Sequence, residues 1–139
     1  MKRLSIYLMI AILACSCNNS STKEPDPYEN MVVLRADTLN TAKLSDSLII
    51  HEYTCRGCAY EGSTHFNISD STGIIELVKV ISTDNNPSDT DGGNINKDLV
   101  LVPVKAGTTT IKLHKFPDGQ PSANDSALFT SYTIEVRNE

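Results

Sequence analysis

Two cysteines in the segment CRGC, Cys55 and Cys58, have the clearest capacity for chemistry in this chain. In an oxidising compartment they most simply form a disulfide with each other and clamp a tight loop. A redox-active pair would need a helix amino terminus to lower a thiol pKa, and no βαβ pattern surrounds the motif. His51 and His65 flank the pair, so tetrahedral zinc bound by two thiolates and two imidazoles is a third interpretation. We expect the disulfide, with no metal and no cofactor.

Other candidate chemistry is sparse. No hydroxyl residue lies in a nucleophile elbow, and no Cys–His pair remains once the two cysteines are bonded. The segment DNNPSDTDGG at residues 84–93 gathers oxygen ligands but lacks the order and the terminal glutamate of an EF-hand, so we expect a solvated acidic loop rather than a calcium site. His114 falls on the polar face of a predicted strand, where we expect it to be exposed. We therefore expect no enzyme.

The first seventeen residues, MKRLSIYLMIAILACSC, predict export from the cytoplasm. A basic start precedes an apolar run that is too short to span a bilayer, as in a secretory signal. The stretch AILAC resembles the lipobox of bacterial lipoproteins, which implies removal of residues 1–14 and lipidation of Cys15. Cys17 is the competing acceptor, and an ordinary signal peptide is the alternative. Acyl chains, at ~0.8 kcal/mol per buried methylene, would hold the protein on the membrane of the cell envelope, which we expect to be the outer membrane.

The rest of the chain divides into a tether and one domain. Residues 15–30 contain the lipidated cysteine and a flexible stretch, NNSSTKEPDPY, without apolar periodicity. Residues 31–139 have the length of a single domain with a modest core. Without the signal, ten Lys and Arg oppose seventeen Asp and Glu, which are scattered along the chain. This dispersed negative charge argues against nucleic acid as a partner and against a second, electrostatic membrane contact.

Short runs of β-branched and aromatic residues between turn signals predict an all-β domain. About seven antiparallel strands of this kind are typical of an immunoglobulin-like β-sandwich. The predicted strands are 31–36, 47–53, 64–69, 73–81, 98–104, 108–116 and 127–137.

Two features of this pattern make more specific predictions. Residues 99–104 are apolar on both faces, which predicts a central strand, and Gly107 ends a tight connection where it can adopt a positive φ. The expected core residues are Val100, Val102, Ile111, Leu113, Tyr132, Ile134 and Val136.

From Gly92 onward, the order of features resembles the chagasin family of cysteine-peptidase inhibitors, which are immunoglobulin-like sandwiches. The resemblance rests on GGNINKDLVLVPVKAGTTTIKL followed by YTIEV, which is similar to that family's Gly-rich loop, apolar strand, K-A-G-T-T-T turn and Y-T-V-x-V strand. Upstream, SLIIHEYTCRGCAYEG and GIIELVKV stand where the family has a strand leading into its first loop and the strand that follows. The resemblance covers most of the domain.

The resemblance implies reversible inhibition of a papain-like cysteine peptidase by three loops that enter its active-site cleft. These loops would be residues 54–60, residues 91–96 and a segment starting at His114. A disulfide would stiffen the first loop, and Tyr60 and Phe116 would serve as aromatic anchors. The implied contact residues are Thr54, Arg56, Gly57, Tyr60, Gly92, Gly93, Asn94, His114, Phe116 and Pro117.

A second function remains open from the sequence. Bacterial immunoglobulin-like domains of group 2 also carry A-G-T-x-x-I before a closing strand, as AGTTTI does here. The alternative is therefore an envelope module that binds protein or glycan, or acts as a spacer, without inhibitory activity. An enzyme built on the zinc site is the weakest alternative.

Overall fold

The computed structural model describes residues 28–59, 61–88, 91–116 and 129–139, and every regular element in these ranges is a β-strand. The strands are β1 Met31–Val33, β2 Leu39–Lys43, β3 Ser47–Cys55, β4 His65–Ser69, β5 Ile75–Thr83, β6 Asn94–Pro103, β7 Gly107–Phe116 and β8 Thr130–Arg137. They form a first sheet in the order β1-β3-β6-β5 and a second in the order β2-β8-β7-β4. The predicted all-β sandwich is confirmed.

The amino-terminal segments lie outside this description. The predicted signal peptide and most of the tether, including Cys15 and Cys17, precede residue 28. Within the described ranges, no helix has the length and apolar character needed to cross a membrane.

Strand β2 is an addition to the strands that the sequence predicts. Its sequence, LNTAK, has few residues that favour strands. Asn40, which is buried in this strand, binds residues outside it: its Nδ2 donates to the carbonyl oxygens of Arg35 at 3.0 Å and Thr133 at 3.1 Å. These contacts stabilise β2. A strand held by such distant contacts leaves little trace in local sequence.

The pairing also differs from a purely antiparallel sandwich. β1 runs parallel to β3, and β2 runs parallel to β8, whereas the remaining pairs are antiparallel. The chain crosses from the first sheet to the second between β1 and β2, at a turn where Asp37 has a φ of 54°. The amino-terminal segment therefore contributes one edge strand to each sheet, and the chain reverses direction between the two strands.

The core lies between the two sheets and confirms most of the predicted buried residues. Ile111, Leu113, Tyr132, Ile134 and Val136 are buried there with Leu48, Ile50, Leu99 and Leu101 from the opposite sheet. Strand β6 is central, between β3 and β5, as its apolar faces predicted. Val100 is buried on the other face of that sheet. Val102 is only half-buried, because it stands beside exposed Glu76 on the neighbouring strand.

The connection between β6 and β7 passes from one sheet to the other at a backbone conformation that favours glycine. Gly107 has a φ of 143°, and a Cβ there would lie 2.9 Å from Cδ1 of Ile74. The predicted positive φ is confirmed.

Candidate binding loops

Three connections leave the sandwich at one end. Strand β3 ends where β6 begins, with Cys55 opposite Asn94, and β7 ends where β4 begins, with Phe116 opposite His65. The β3–β4 connection crosses between the sheets at this end, and the β5–β6 connection enters β6 beside it. The β7–β8 connection departs from the same end, although its residues 117–128 lie outside the described ranges. The topology therefore brings the three predicted loops to one end.

The first loop, predicted at residues 54–60, is the β3–β4 connection and spans residues 56–64 in the structure. It begins with a ring closed by the disulfide between Cys55 and Cys58. Their Cα atoms are 5.9 Å apart, within the usual range for a disulfide. The backbone amide of Gly57 donates to the carboxylate of Glu61, and the amide of Glu61 donates to the carbonyl oxygen of Cys58 at 3.1 Å. The predicted disulfide is confirmed, and hydrogen bonds continue the folded turn beyond it.

Arg56, inside that ring, connects the first loop to the second. The second loop, predicted at residues 91–96, is the β5–β6 connection and spans residues 84–93. The backbone amide of Arg56 donates to the carbonyl oxygen of Gly93 at 2.9 Å, and its Nε lies 2.9 Å from Oδ2 of Asp84. Its Nη1 donates to the carbonyl oxygen of Pro87 at 3.4 Å. Sequence reasoning placed Arg56 at a partner's surface. The structure gives it a role within the protein, since it holds two loops together.

Asp84 and Asn86 organise the second loop from inside. The side-chain and backbone hydrogen bonds from Asn86, followed by the charge and hydrogen bond of Arg56, lower the pKa of Asp84. Nδ2 of Asn86 donates both to Asp84 and to the carbonyl oxygen of Asn94, each at 2.7 Å. Nothing in the sequence distinguishes these two residues from the other polar residues of DNNPSDTDGG. Their importance comes from the fold.

Gly93 has a defined place in this loop. Its φ is 99°, and a Cβ there would lie 2.5 Å from Oδ1 of Asn86. Any other L-residue would therefore be strained and would also displace the side chain that holds the loop. The neighbouring Gly92 also has a positive φ, of 81°, but has open space around it.

Some predicted contact residues are buried. Thr54 is 2% exposed, so it supports the base of the first loop without presenting its side chain to a partner. Phe116 is 5% exposed, which does not suit the expected aromatic anchor. Tyr60 and Pro117 lie outside the described residues. The binding roles of the whole set stay predictions.

The expectation for His114 requires correction. It is half-buried rather than solvent-exposed, because its ring stacks on Phe116 at a centroid distance of 5.8 Å and an interplanar angle of 8°. Phe129 lies 5.6 Å from the same ring, and Nζ of Lys112 lies 4.3 Å from the centroid of Phe129. The base of the third loop is therefore an aromatic cluster.

Tyr53 is a candidate contact residue that sequence reasoning did not single out. It lies near the end of β3 with 57% of its surface exposed. Lys115, from the opposite sheet, donates to its carbonyl oxygen and lies 4.5 Å from its ring centroid. Nζ of Lys115 also lies 3.4 Å from Oε2 of Glu52, so Lys115 connects the two sheets at the loop end. Lys115 also lines a small cavity of about 280 Å³, together with Leu113, Phe129 and Thr130.

The four residues of the alternative zinc site are not assembled. The cysteines are bonded to each other, and His65 is exposed on a strand of the second sheet. His51 belongs to the first sheet, where its Nδ1 lies 2.7 Å from Oδ1 of Asp98, whose other oxygen accepts the hydroxyl of Tyr28. Within the described ranges, no group of three or more His, Cys, Asp or Glu residues could hold a metal ion.

Comparisons with known proteins relate this fold to two solved structures. The crystal structure of the cysteine protease inhibitor EhICP2 from Entamoeba histolytica is similar with a TM-score of 0.57 and 21% identity, over 77% of this chain and 96% of that one. The solution structure of amebosin is similar with a TM-score of 0.56 and 14% identity, over 77% and 98%. No family model and no curated protein matches the sequence. These similarities show that the chain has an immunoglobulin-like β-sandwich fold in common with both proteins.

Proposed function

We propose that this chain is a reversible inhibitor of papain-like cysteine peptidases that binds through the loops at one end of its sandwich. The observation that carries the proposal is the link between the first two loops, in which the disulfide ring and Arg56 are fixed against Gly93 and Asp84. Loops that are ordered before docking lose less conformational entropy when a partner binds. The fold shared with EhICP2, a cysteine protease inhibitor, supports the choice of peptidase class.

Binding alone accounts for the proposed inhibition. Exposed backbone at Gly57 and Gly93 can approach a cleft closely, and exposed Tyr53 offers an aromatic contact nearby. Tyr60 stays our second proposed aromatic contact. An inhibitor of this kind excludes substrate sterically, so its kinetics should be competitive.

Arg56→Ala tests the proposal at the link between the loops. We expect this change to raise the inhibition constant against papain by ~10-fold or more, because the two loops would no longer be held together before docking. The thermal midpoint should change little, since the residue lies in exposed loops outside the core. Arg35→Ala is the matched control, because Arg35 is an exposed arginine in the β1–β2 connection and belongs to none of the three loops.

A titration of the full chain against several papain-like peptidases decides the broader question. Competitive inhibition with a defined stoichiometry is the expected result. If micromolar protein leaves all of them active, the inhibitor proposal is wrong. The envelope module that binds protein or glycan, or acts as a spacer, would then be the better account.

We also propose that the protein is anchored in the bacterial envelope, at the outer membrane, through a lipid on Cys15. The signal-like run and the AILAC segment support this. Metabolic labelling with a fatty acid should be lost in Cys15→Ala and retained in Cys17→Ala. Labelling that is lost only in Cys17→Ala would move the acceptor, and absence of labelling in the unaltered chain would contradict the anchor.

A further inference from the structure

The disulfide of the first loop lies at a position where it contributes little to the stability of the sandwich. Cys55 is exposed and Cys58 is half-buried, at the end of a strand and outside the core. The cysteines are three residues apart, and a ring this short removes little entropy from the unfolded chain. The stability of the sandwich therefore depends mainly on other contacts, and a different role for the bond is open.

The surrounding contacts present this bond in a fixed position. Between the cysteines, the amide of Arg56 is bonded to the second loop and the amide of Gly57 is bonded to Glu61. The amides of the two residues between the cysteines are thus held by groups outside the ring. The more exposed half, at Cys55, faces solvent beside the second loop, within the surface that we propose to enter a peptidase.

We propose that the Cys55–Cys58 disulfide captures the active-site thiolate of the target peptidase by thiol–disulfide exchange. This inference rests on the proposed function, because only a partner with a nucleophilic cysteine in the blocked cleft would react in this way. A cysteine peptidase keeps such a thiol ionised at neutral pH, and the thiolate is the attacking species in exchange. Inhibition then has a covalent stage in addition to steric blockade.

The exchange is balanced without any external oxidant. The peptidase thiolate attacks Sγ of Cys55, and a new S–S bond forms between the two proteins. The Cys55–Cys58 bond breaks, and its electron pair leaves on Sγ of Cys58, which takes a proton from water. The peptidase sulfur is oxidised and Cys58 is reduced. Because Cys58 stays three residues away, it can attack the mixed disulfide and reverse the reaction.

The test uses the full chain and papain that has been activated with dithiothreitol and then freed of reductant. Mixtures are quenched with acid and N-ethylmaleimide, which caps the released Cys58, and are measured by intact mass spectrometry without reduction. We expect a 1:1 adduct with one maleimide on Cys58, and peptide mapping should join papain to Cys55. The adduct should disappear with dithiothreitol, with papain whose active thiol is already alkylated, and in the double variant Cys55→Ser/Cys58→Ser.

The outcomes separate this inference from the proposed function. Inhibition without an adduct, equally strong in the double variant, would overturn the exchange and leave the steric inhibitor in place. Absence of both inhibition and adduct would overturn both. The exchange would also be overturned if the papain adduct formed no faster than a glutathione adduct at equal thiolate concentration. Docking should accelerate exchange with papain by ~10-fold or more. The dithiothreitol and alkylated-papain arms need no variant, so they remain decisive if the double variant folds poorly.

Discussion

At the scale of single residues, the shape of the loop end depends on a position where an added Cβ atom would not fit. This position is Gly93, since Asn86 occupies the space that a Cβ would need and holds both Asp84 and the backbone of Asn94. A residue of this kind can control the shape of a binding surface without contacting a partner. Its effect should therefore be seen in binding more than in stability.

Gly93→Ala tests this separation. We expect a rise of about 10-fold in the inhibition constant against papain, because an alanine at this positive φ displaces Asn86 and the second loop must rearrange locally to relieve the strain. The thermal midpoint should fall only slightly. Gly62→Ala is the control, since Gly62 lies in the first loop and an added Cβ there would have nothing within 4 Å. Equal inhibition by both variants would contradict the role assigned to Gly93.

At the scale of elements, Asp70 ties the turn between β4 and β5 to strand β7. One carboxylate oxygen accepts the amides of Ile74 at 2.7 Å and Ile75 at 2.8 Å, and the other accepts the hydroxyl of Thr109 at 2.7 Å together with two groups of Thr72. Burial raises the pKa of Asp70, but the hydrogen bonds from Thr109, Ile75 and Thr72 outweigh it and hold the pKa well below its usual range. The ionised form is thus the one that the fold stabilises.

Asp70→Ala should lower the free energy of unfolding by roughly 3 kcal/mol, because several donors lose a charged acceptor.

The pH dependence of stability that Asp70 causes has a definite sign. Since folding depresses this pKa, the contribution is complete above the ordinary aspartate value of about 4 and declines as the pH falls below it. Thermal midpoints between pH 2 and pH 7 should fall less steeply in acid for Asp70→Asn than for the unaltered chain. Asp91→Asn, at an exposed loop position, should retain the original slope.

At the scale of the whole molecule, stability resides in the layer between the sheets. Ile134 is 0% exposed in β8, and residues from both sheets form the buried cluster around it. Ile134→Ala should cost ~2–4 kcal/mol in urea unfolding followed by circular dichroism. Val104→Ala, at a half-exposed connection, should cost under about 1 kcal/mol. A similar loss in both variants, or a helical spectrum of the unaltered chain, would contradict the core described here.

Local sequence patterns were enough to predict the strands that carry a clear alternation, the central position of β6, the glycine at the β6–β7 connection and the disulfide. Each of these features leaves a signal in the local sequence. Burial of one face of a strand favours an apolar residue at every second position, and a tight turn favours glycine. For the candidate site, local patterns predicted Cys55 and Cys58 as a bonded pair, whereas the loop segments were inferred from the resemblance to a known family.

Which distant residues meet is known only from the folded chain. The pairing of β2 with β8, the contact of Arg56 with Asp84, the stacking of His114 on Phe116 and the bridge from Lys115 to Tyr53 join residues that are distant in sequence or that no local pattern marks. Such contacts depend on strand register and on how two sheets meet at one end. A sequence pattern reports whether a residue faces the core but does not report which residue lies across from it.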